Sequence, residues 1–285
     1  MAKERIGVVG AGLMGAEIAL VHALSGHPVR LCDTADALLT AALRRLDGII
    51  EKGIARGFYK AEERAPALTR ISAGTDLAAL ADSDLVIEAV FEDEAAKAEV
   101  WQRLDAACRP DCLFASNTSS IAISTLASYV GPARRPRFLG THYFSPVSRM
   151  KLVEVIPAFE TDEAAVETAM RLCREVGKMP IRVKDVTGFA VNRMLHAFVI
   201  EAIRLVEEGV ATPEDIDTAC RLGLGHAIGP FELLDATTSS LSLQVQEILF
   251  AAYGERFRPP ALLKQRVRAG YIGRKAGKGW RTGPA

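Results

Sequence analysis

Several features that would restrict the class of this protein are missing from its sequence. The 285 residues contain 35 basic and 35 acidic side chains, so the net charge is zero. A dedicated nucleic-acid-binding protein would carry a clear basic excess. No apolar run approaches the roughly 18 residues of a membrane helix, and no charged-then-apolar leader opens the chain. We therefore expect a cytoplasmic protein with neither a nucleic-acid partner nor a membrane partner.

Cysteine is scarce and unevenly placed. The chain has five cysteines, at Cys32, Cys108, Cys112, Cys173 and Cys220. Structural metal sites need closely spaced pairs of ligands or a pair with clustered histidines. Cys108 and Cys112 are close in sequence, but no second pair or histidine cluster accompanies them. We expect buried or incidental thiols and no metal.

The first part of the chain alternates short apolar runs with helical patterns. This alternation is typical of a parallel sheet with crossover helices. Strands are predicted at Ile6–Val9, Val29–Cys32, Ile71–Ala73, Leu85–Ala89, Leu113–Ala115 and Phe138–Leu139. Helices are predicted at Ala16–Ser25, Leu38–Gly57, Phe58–Thr69 and Glu92–Ala107.

The pattern changes near residue 185. From Phe189 onward, strand alternation gives way to long helical periodicities. Helices are predicted at Phe189–Glu208, Thr212–Leu222, Pro230–Leu234, Ser242–Tyr253 and Pro260–Ala269. We place a domain boundary here. The first domain takes residues 1–185, with a helical excursion at about 38–69, and an all-α domain takes residues 186–285.

A glycine-rich loop follows the first predicted strand. Its glycines, Gly10, Gly12 and Gly15, have the spacing of a dinucleotide-binding loop and open a helix. Glycine permits the tight turn and the close approach of a pyrophosphate, which the helix N-terminus then faces. Leu13 and Met14 complete the predicted cofactor-binding loop. The context favours a Rossmann-type domain with a mostly parallel sheet over a simple glycine turn.

An acidic residue follows the second predicted strand. Asp33 lies 18 residues after Gly15, where a carboxylate binds the ribose hydroxyls of the adenosine. It would repel the extra phosphate of NADP, so NAD is the expected cofactor. The alternative is a helix-capping aspartate.

A histidine and a glutamate lie in two neighbouring apolar runs. His142 ends the first run and Glu154 lies in the second, with Pro146 between them. Proline fixes its own φ and disfavours helix in the residue before it, so the chain can reverse there. A histidine and a glutamate on neighbouring strands can form a base and the group that orients it. An enzyme that oxidises an alcohol needs such a pair.

These motifs together resemble the 3-hydroxyacyl-CoA dehydrogenase family. The resemblance also rests on residues 116–120 (Ser-Asn-Thr-Ser-Ser), 187–193 (Thr-Gly-Phe-Ala-Val-Asn-Arg) and 229–235 (Gly-Pro-Phe-Glu-Leu-Leu-Asp). It extends from Ile6 to Trp280. Several motifs in the right order are more specific than any one of them.

The resemblance implies roles for four catalytic residues. His142 would remove the proton of the 3-hydroxyl while hydride passes to NAD, and Glu154 would orient it. Ser119 would bind the substrate oxygen or the nicotinamide, and Asn192 the substrate carbonyl. Residue preferences alone would make Ser119 a helix N-cap before Ile121–Leu126 and Asn192 a helix-start residue.

The resemblance further implies binding residues. Glu92, Lys97, Asn117 and Ser119 would line the cofactor site near the nicotinamide, although a solvated helix face is an alternative for Lys97. Ser145 stands where many family members carry asparagine, and it would help to hold the substrate. Some multifunctional β-oxidation subunits have serine there.

The resemblance also implies that the helical excursion covers the substrate and contacts the CoA phosphates. Lys52 and Arg56 are the predicted contacts of the CoA phosphates, because phosphate binding needs positive charges on long side chains. A solvated helix face would show a similar pattern.

The leading hypothesis is an NAD-dependent 3-hydroxyacyl-CoA dehydrogenase of fatty acid metabolism, acting on short chains such as 3-hydroxybutyryl-CoA. The helical domain would bind substrate and form a homodimer. One alternative is a dehydrogenase of a 3-hydroxy acid or sugar acid without CoA. Another is an NAD-binding protein with a structural or regulatory role.

Overall fold

The computed structural model describes residues 3–281. The chain divides into two compact units between Val186 and Thr187. This division lies one residue after the boundary expected from the sequence pattern.

The first unit contains one eight-stranded sheet. Its strands are β1 (Ile6–Val9), β2 (Val29–Cys32), β3 (Ile71–Gly74), β4 (Leu85–Glu88), β5 (Leu113–Ser116), β6 (Phe138–Tyr143), β7 (Leu152–Pro157) and β8 (Met179–Arg182). Their order is β3-β2-β1-β4-β5-β6-β7-β8. All neighbouring strands run parallel except β6 and β7, which are antiparallel. The predicted α/β class with a mostly parallel sheet is confirmed.

Helices connect these strands. They are α1 (Leu13–Leu24), α2 (Asp36–Ala55), α3 (Ala61–Thr69), α4 (Glu94–Ala107), α5 (Ile123–Ala127) and α6 (Glu163–Glu175). Strands β1, β4, β5 and β6 are buried along their whole length, as in parallel sheets that are covered on both faces. Strand β1 lies between β2 and β4, where the strand order reverses. Open α/β sheets bind ligands outside the carboxyl ends of the strands at such a point.

The structure corrects several predicted boundaries. Helix α1 begins at Leu13, three residues before its predicted start, because Gly12 is already its N-cap. The helix predicted from Glu92 begins at Glu94, since the Asp93 side chain accepts a hydrogen bond from the Ala96 amide at 2.9 Å and caps it. Glu92 therefore lies before the helix and outside its hydrogen-bond pattern.

The second unit is helical. Its helices are α7 (Val191–Glu207), α8 (Pro213–Gly223), α9 (Pro230–Thr237), α10 (Ser239–Tyr253) and α11 (Ala261–Arg268). Between residues 187 and 281 no strand forms, apart from one isolated bridge between Gly273 and Lys278. Thr212 caps α8 by accepting a hydrogen bond from the Asp215 amide at 3.2 Å, as its Thr-Pro start predicts. The predicted all-α fold of this part is confirmed.

Candidate active site

The glycine loop lies between β1 and α1, at the carboxyl edge of the sheet. Gly10 has a φ of 101°, a conformation that favours glycine. A Cβ on Gly10 would also lie 2.5 Å from the Ala89 carbonyl oxygen, and one on Gly15 would overlap the carbonyl oxygen of Gly10. A Cβ on Gly12 would meet no atom within 4 Å. Gly10 and Gly15 therefore allow the loop to pack tightly against the protein, and Gly12 leaves space beside the backbone.

Asp33 holds this loop from the end of β2. Its carboxylate accepts a hydrogen bond from the Ala11 amide at 2.6 Å and another from the Thr34 amide. Arg45 on α2 donates to the carbonyl oxygens of Ala11 and Gly12, both at 2.9 Å. The loop is thus fixed from both β2 and α2.

His142 and Glu154 face each other across the antiparallel pair. They occupy directly opposite positions of β6 and β7, where side chains on one face come close together. The His142 Nδ1 atom lies 2.8 Å from Glu154 Oε2, and both side chains are buried. A carboxylate only accepts, so Nδ1 carries the proton and donates it to Glu154.

Ser119 approaches the other nitrogen of the same ring. Its hydroxyl lies 3.0 Å from His142 Nε2. Because Nδ1 carries the proton in the neutral ring, Nε2 is an acceptor and the hydroxyl of Ser119 donates to it. The first unit therefore contains a connected row of three side chains, Ser119, His142 and Glu154.

Glu92 positions the segment that carries Ser119. Its Oε1 atom accepts hydrogen bonds from the Thr118 hydroxyl and the Ser119 amide, both at 2.7 Å, and from the amide and hydroxyl of Ser120, both at 2.9 Å. Burial alone would raise the pKa of this carboxyl. The charge of Lys97 and these hydrogen bonds outweigh burial and lower the pKa of Glu92 below its usual value.

Lys97 lies inside the protein. Only 1% of its surface is exposed, and its ammonium lies 2.5 Å from Glu88 and 3.3 Å from Glu92. The alternative of a solvated helix face is therefore wrong. Glu92 and Lys97 are five residues apart and not neighbours on a helix, but Glu92 precedes α4 and its side chain can reach the ammonium.

Other predicted residues also have defined contacts. The Asn117 side chain accepts a hydrogen bond from the Tyr143 amide at 2.9 Å, which joins the end of β5 to the end of β6. Ser119 is not the N-cap of α5. That helix begins at Ile123, and Asp185 accepts hydrogen bonds from the amides of Ile123 and Ser124 at 2.8 and 2.7 Å.

Lys52 and Arg56 line a cavity of about 480 Å³ between α2 and the reversal that joins β6 to β7. Two further basic side chains, Arg149 and Lys151, line it from the reversal. Its other lining residues are Glu17, Ile49, Gly53, Phe58, Tyr59, Pro146 and Ser148. Ser145 is exposed in the same reversal, next to Pro146. The cavity combines four cations with aromatic and apolar walls.

Comparison with known proteins identifies the family. The family model described as the NAD binding domain of 3-hydroxyacyl-CoA dehydrogenase matches residues 5–186, and the C-terminal domain model of the same family matches residues 188–283. The chain belongs to the 3-hydroxyacyl-CoA dehydrogenase family. The predicted enzyme class and the predicted cofactor, NAD, are thereby confirmed.

Relatives of this dehydrogenase match along nearly its full length. A 3-hydroxybutyryl-CoA dehydrogenase of Mycobacterium tuberculosis is 41% identical over 283 residues, which cover 98% of each chain. The mitochondrial hydroxyacyl-coenzyme A dehydrogenase of Rattus norvegicus is 38% identical over 97% of this chain and 90% of its own. The crystal structure of an (S)-3-hydroxybutyryl-CoA dehydrogenase from Ralstonia eutropha is 35% identical, with a TM-score of 0.94 and full coverage of both chains.

The glycine loop fits the cofactor of this family. The open space at Gly12 lets a pyrophosphate approach the backbone at the N-terminus of α1.

Asn192 lies in the second unit, as the second residue of α7, so its prediction as a helix-start residue is confirmed.

Sequence reasoning missed two features of this dehydrogenase. Glu88, at the end of β4, is fully buried and binds Lys97. The sequence did contain a signal for this residue, because a charged side chain ends an apolar strand beside the glycine loop. Arg149 and Lys151 were missed because the spacing in the reversal does not show that they face α2.

Other predictions concern the rest of the molecule. All five cysteines are buried and free. Among the described residues, Glu4, His27 and Glu175 could together approach a metal ion, but Glu4 is paired with Arg171, and Glu175 with Lys3 and Arg171. None of the helices between residues 3 and 281 is both long enough and apolar enough to cross a membrane.

Proposed function

We propose that this dehydrogenase interconverts short-chain 3-hydroxyacyl-CoA and 3-oxoacyl-CoA thioesters, with 3-hydroxybutyryl-CoA as a representative substrate. The observation that carries the proposal is the buried pair of His142 and Glu154, 2.8 Å apart, with Ser119 at the second ring nitrogen. The names of the relatives from M. tuberculosis and R. eutropha support the short chain.

His142 acts as the general base in this proposal. Its Nε2 atom accepts the proton of the 3-hydroxyl, and Glu154 stabilises the imidazolium that forms because it already accepts the Nδ1 proton. NAD⁺, when bound, supplies the hydride acceptor. Ser119 hydrogen-bonds the substrate oxygen or the nicotinamide, and Asn192 hydrogen-bonds the thioester carbonyl. In the reverse direction the imidazolium returns the proton to the alkoxide.

The cofactor is held by the loop at residues 10–15 and by the groups beside β4 and β5. Gly10, Gly12, Leu13, Met14 and Gly15 form the cradle for the pyrophosphate, and Asp33 takes the ribose hydroxyls. Glu92, Lys97, Asn117 and Ser119 form the part of the site that faces the nicotinamide. Their contacts support this role: Glu92 pairs with Lys97 and holds Thr118 and Ser119, and Asn117 accepts a hydrogen bond from the Tyr143 amide.

The CoA phosphates bind in the cavity beside α2. Lys52 and Arg56 contribute two cations, and Arg149 and Lys151 contribute two more, against the single carboxylate of Glu17. That carboxylate accepts a hydrogen bond from the Ser148 amide at 2.8 Å. The surplus of positive charge favours phosphate groups. Ser145 contacts the substrate from the same reversal.

The second unit contributes Asn192 to substrate binding and forms a homodimer in this proposal. Leu222, Leu224 and Met194 expose 84%, 64% and 66% of their surface, and such apolar side chains favour burial against a partner. Size-exclusion chromatography with light scattering tests this assembly, and a monomer at micromolar concentration would contradict it. We place the enzyme in the cytoplasm, in fatty acid β-oxidation.

An NADH-oxidation assay across 3-oxoacyl-CoA chain lengths tests the reaction. We expect turnover with acetoacetyl-CoA and lower kcat/KM with longer chains. NADPH serves as the control and should be poorly used, because Asp33 repels its extra phosphate. A preference for NADPH would overturn the role of Asp33.

Free acetoacetate separates this proposal from its first alternative. A dehydrogenase of 3-hydroxy acids or sugar acids would oxidise NADH with the free acid and not with the thioester. Absence of turnover with every CoA thioester, in enzyme that binds NADH, would exclude the proposed substrate class.

A further inference from the structure

Glu88 is a buried carboxylate for which the proposed mechanism has no use. It ends β4 and has no exposed surface. One oxygen lies 2.5 Å from Lys97 Nζ and accepts the Val90 amide at 2.8 Å, and the other accepts the Ser116 hydroxyl at 2.7 Å. A buried charge persists only when it is paired and hydrogen-bonded. Glu88 meets this condition with three partners.

Two of these partners belong to other elements of the fold, and the third lies in the loop after β4. Ser116 ends β5, Val90 follows β4, and Lys97 lies in the first turn of α4. Glu88 therefore joins β5 and α4 to the centre of the sheet, at the edge where the glycine loop lies. The Glu88 backbone carbonyl also accepts the Asn117 amide at 2.8 Å.

The contacts continue from Glu88 toward the base. Lys97, held by Glu88, lies 3.3 Å from Glu92 Oε2. The other oxygen of Glu92 holds the amide of Ser119 at 2.7 Å. The hydroxyl of Ser119 then lies 3.0 Å from His142 Nε2. Every link in this row is a hydrogen bond or an ion pair within the first unit.

The charges explain why Glu88 matters to this row. Two carboxylates, Glu88 and Glu92, share one ammonium, and Glu88 lies nearer to it. If Glu88 were neutral, Lys97 would lose its nearer charged partner and move toward Glu92. Glu92 would then lose the position from which it holds residues 118–120.

We propose that Glu88 is a positioning residue for the dehydrogenase reaction, acting through Lys97, Glu92 and the 118–120 segment to hold Ser119 against His142. It touches neither substrate nor cofactor. The proposal rests on the proposed roles of Ser119 and His142. It assigns to Glu88 the alignment of Ser119 with the base and not the binding of a ligand.

Glu88→Gln tests the proposal, because the amide keeps the shape and removes the charge. We expect kcat at saturating NADH and acetoacetyl-CoA to fall by about 10²-fold, as for other displacements of reacting groups by about 1 Å. The KM for acetoacetyl-CoA should change by less than about threefold, since the CoA cavity lies elsewhere. Hydrogen–deuterium exchange should rise in residues 117–121, a readout that does not depend on turnover.

Asp105→Asn is the matched control. Asp105 lies on the same helix, α4, and pairs with the buried guanidinium of Arg134 at 3.0 Å. It has no contact with the 118–120 segment among those of the described residues. This variant should lower the melting temperature while kcat and the exchange of residues 117–121 stay near those of the wild type.

Glu88→Asp provides a second test in case the Glu88→Gln variant does not fold. It keeps the charge but shortens the side chain by one methylene, so we expect partial rescue, with kcat between those of the wild type and Glu88→Gln. Full kcat in a folded Glu88→Asp or Glu88→Gln variant, or equal loss in Asp105→Asn, would overturn the proposal. Absence of thioester turnover in the wild type would instead refute the proposed function.

Discussion

His142 and Glu154 divide one task between two side chains. The imidazole moves the proton, and the carboxylate fixes which nitrogen is free to accept it. Glu154 is fully buried, so its negative charge acts on the ring with little screening by water. The alignment of the base is thus set by the pairing of β6 and β7.

Replacement of His142 by glutamine is expected to lower kcat by about 10³-fold, because general-base catalysis contributes roughly 10² to 10⁴. NADH binding, followed by fluorescence, should be retained, since the cradle does not depend on the imidazole. A variant with wild-type kcat would show that another group takes the proton.

Single residues also show where sequence reasoning reaches its limit. His142, Glu154 and Asp33 could be predicted because motif spacing and strand ends fix their type and place. The burial of Lys97 could not be predicted, since the helix pattern does not reveal a carboxylate on the neighbouring strand end. The alternative of a helix cap at Ser119 was wrong because the carboxylate of Asp185, 62 residues from Ile123, caps α5.

In the glycine loop, the same change from glycine to alanine has different consequences at Gly15 and at Gly12. Gly15→Ala should destabilise the protein, because the added Cβ overlaps the Gly10 carbonyl oxygen. Gly12→Ala should leave the melting temperature almost unchanged, because its Cβ meets no protein atom within 4 Å. It should nevertheless weaken NADH binding, since the methyl group occupies the space open to the pyrophosphate.

Thermal unfolding and NADH titration of both variants measure this contrast. Equal melting temperatures for the two variants would contradict the packing argument for Gly15. Unchanged NADH affinity in Gly12→Ala would contradict the approach of the cofactor at this glycine.

Helix α5 depends on a distant cap. Asp185→Ala should destabilise the first unit by about 1 kcal/mol, the usual loss for a helix N-cap. Asp185→Asn should recover much of this stability because the amide oxygen can still accept a hydrogen bond. Urea unfolding of both variants measures the difference, and equal loss in the two would show that the charge carries the effect.

At the level of elements, the sequence pattern predicted the parallel strands well but missed α6 and β8. Buried parallel strands have continuous apolar runs, which are easily seen. Strand β8 is an edge strand with a proline, Pro180, and none of its four residues is buried, so its pattern is weak. Helix α1 began earlier than predicted because a glycine can serve as its N-cap.

Two of the buried histidines that lie outside the proposed reaction, His22 in the first unit and His196 in the second, have strongly lowered pKa values. Burial lowers the pKa of His22 to about 3, with a further contribution from the charge of His27. Burial also lowers the pKa of His196 to about 4. Both histidines are neutral in the folded protein at pH 5, whereas in the unfolded chain, with a pKa of 6.5, they are mostly protonated.

Stability should therefore fall as the pH decreases below 6.5. The unfolded state binds protons that the folded state does not, which reduces the free energy of unfolding by about 1 kcal/mol per histidine between pH 6 and pH 5. Urea unfolding at pH 7, 6 and 5 measures this decrease. His22→Asn should reduce the pH slope, and an unchanged slope would show that other groups dominate acid unfolding.

The antiparallel pairing of β6 and β7 has a consequence for the sequence changes that the hairpin can accept. The base and the carboxylate that orients it lie within one continuous hairpin, from His142 to Glu154. A short stretch of the chain thus supplies both the base and the carboxylate that orients it. A shift of the hairpin register by one residue would turn Glu154 to the opposite face of the sheet. Changes that shift the alignment of these two strands would therefore remove the pair even if His142 and Glu154 themselves were kept.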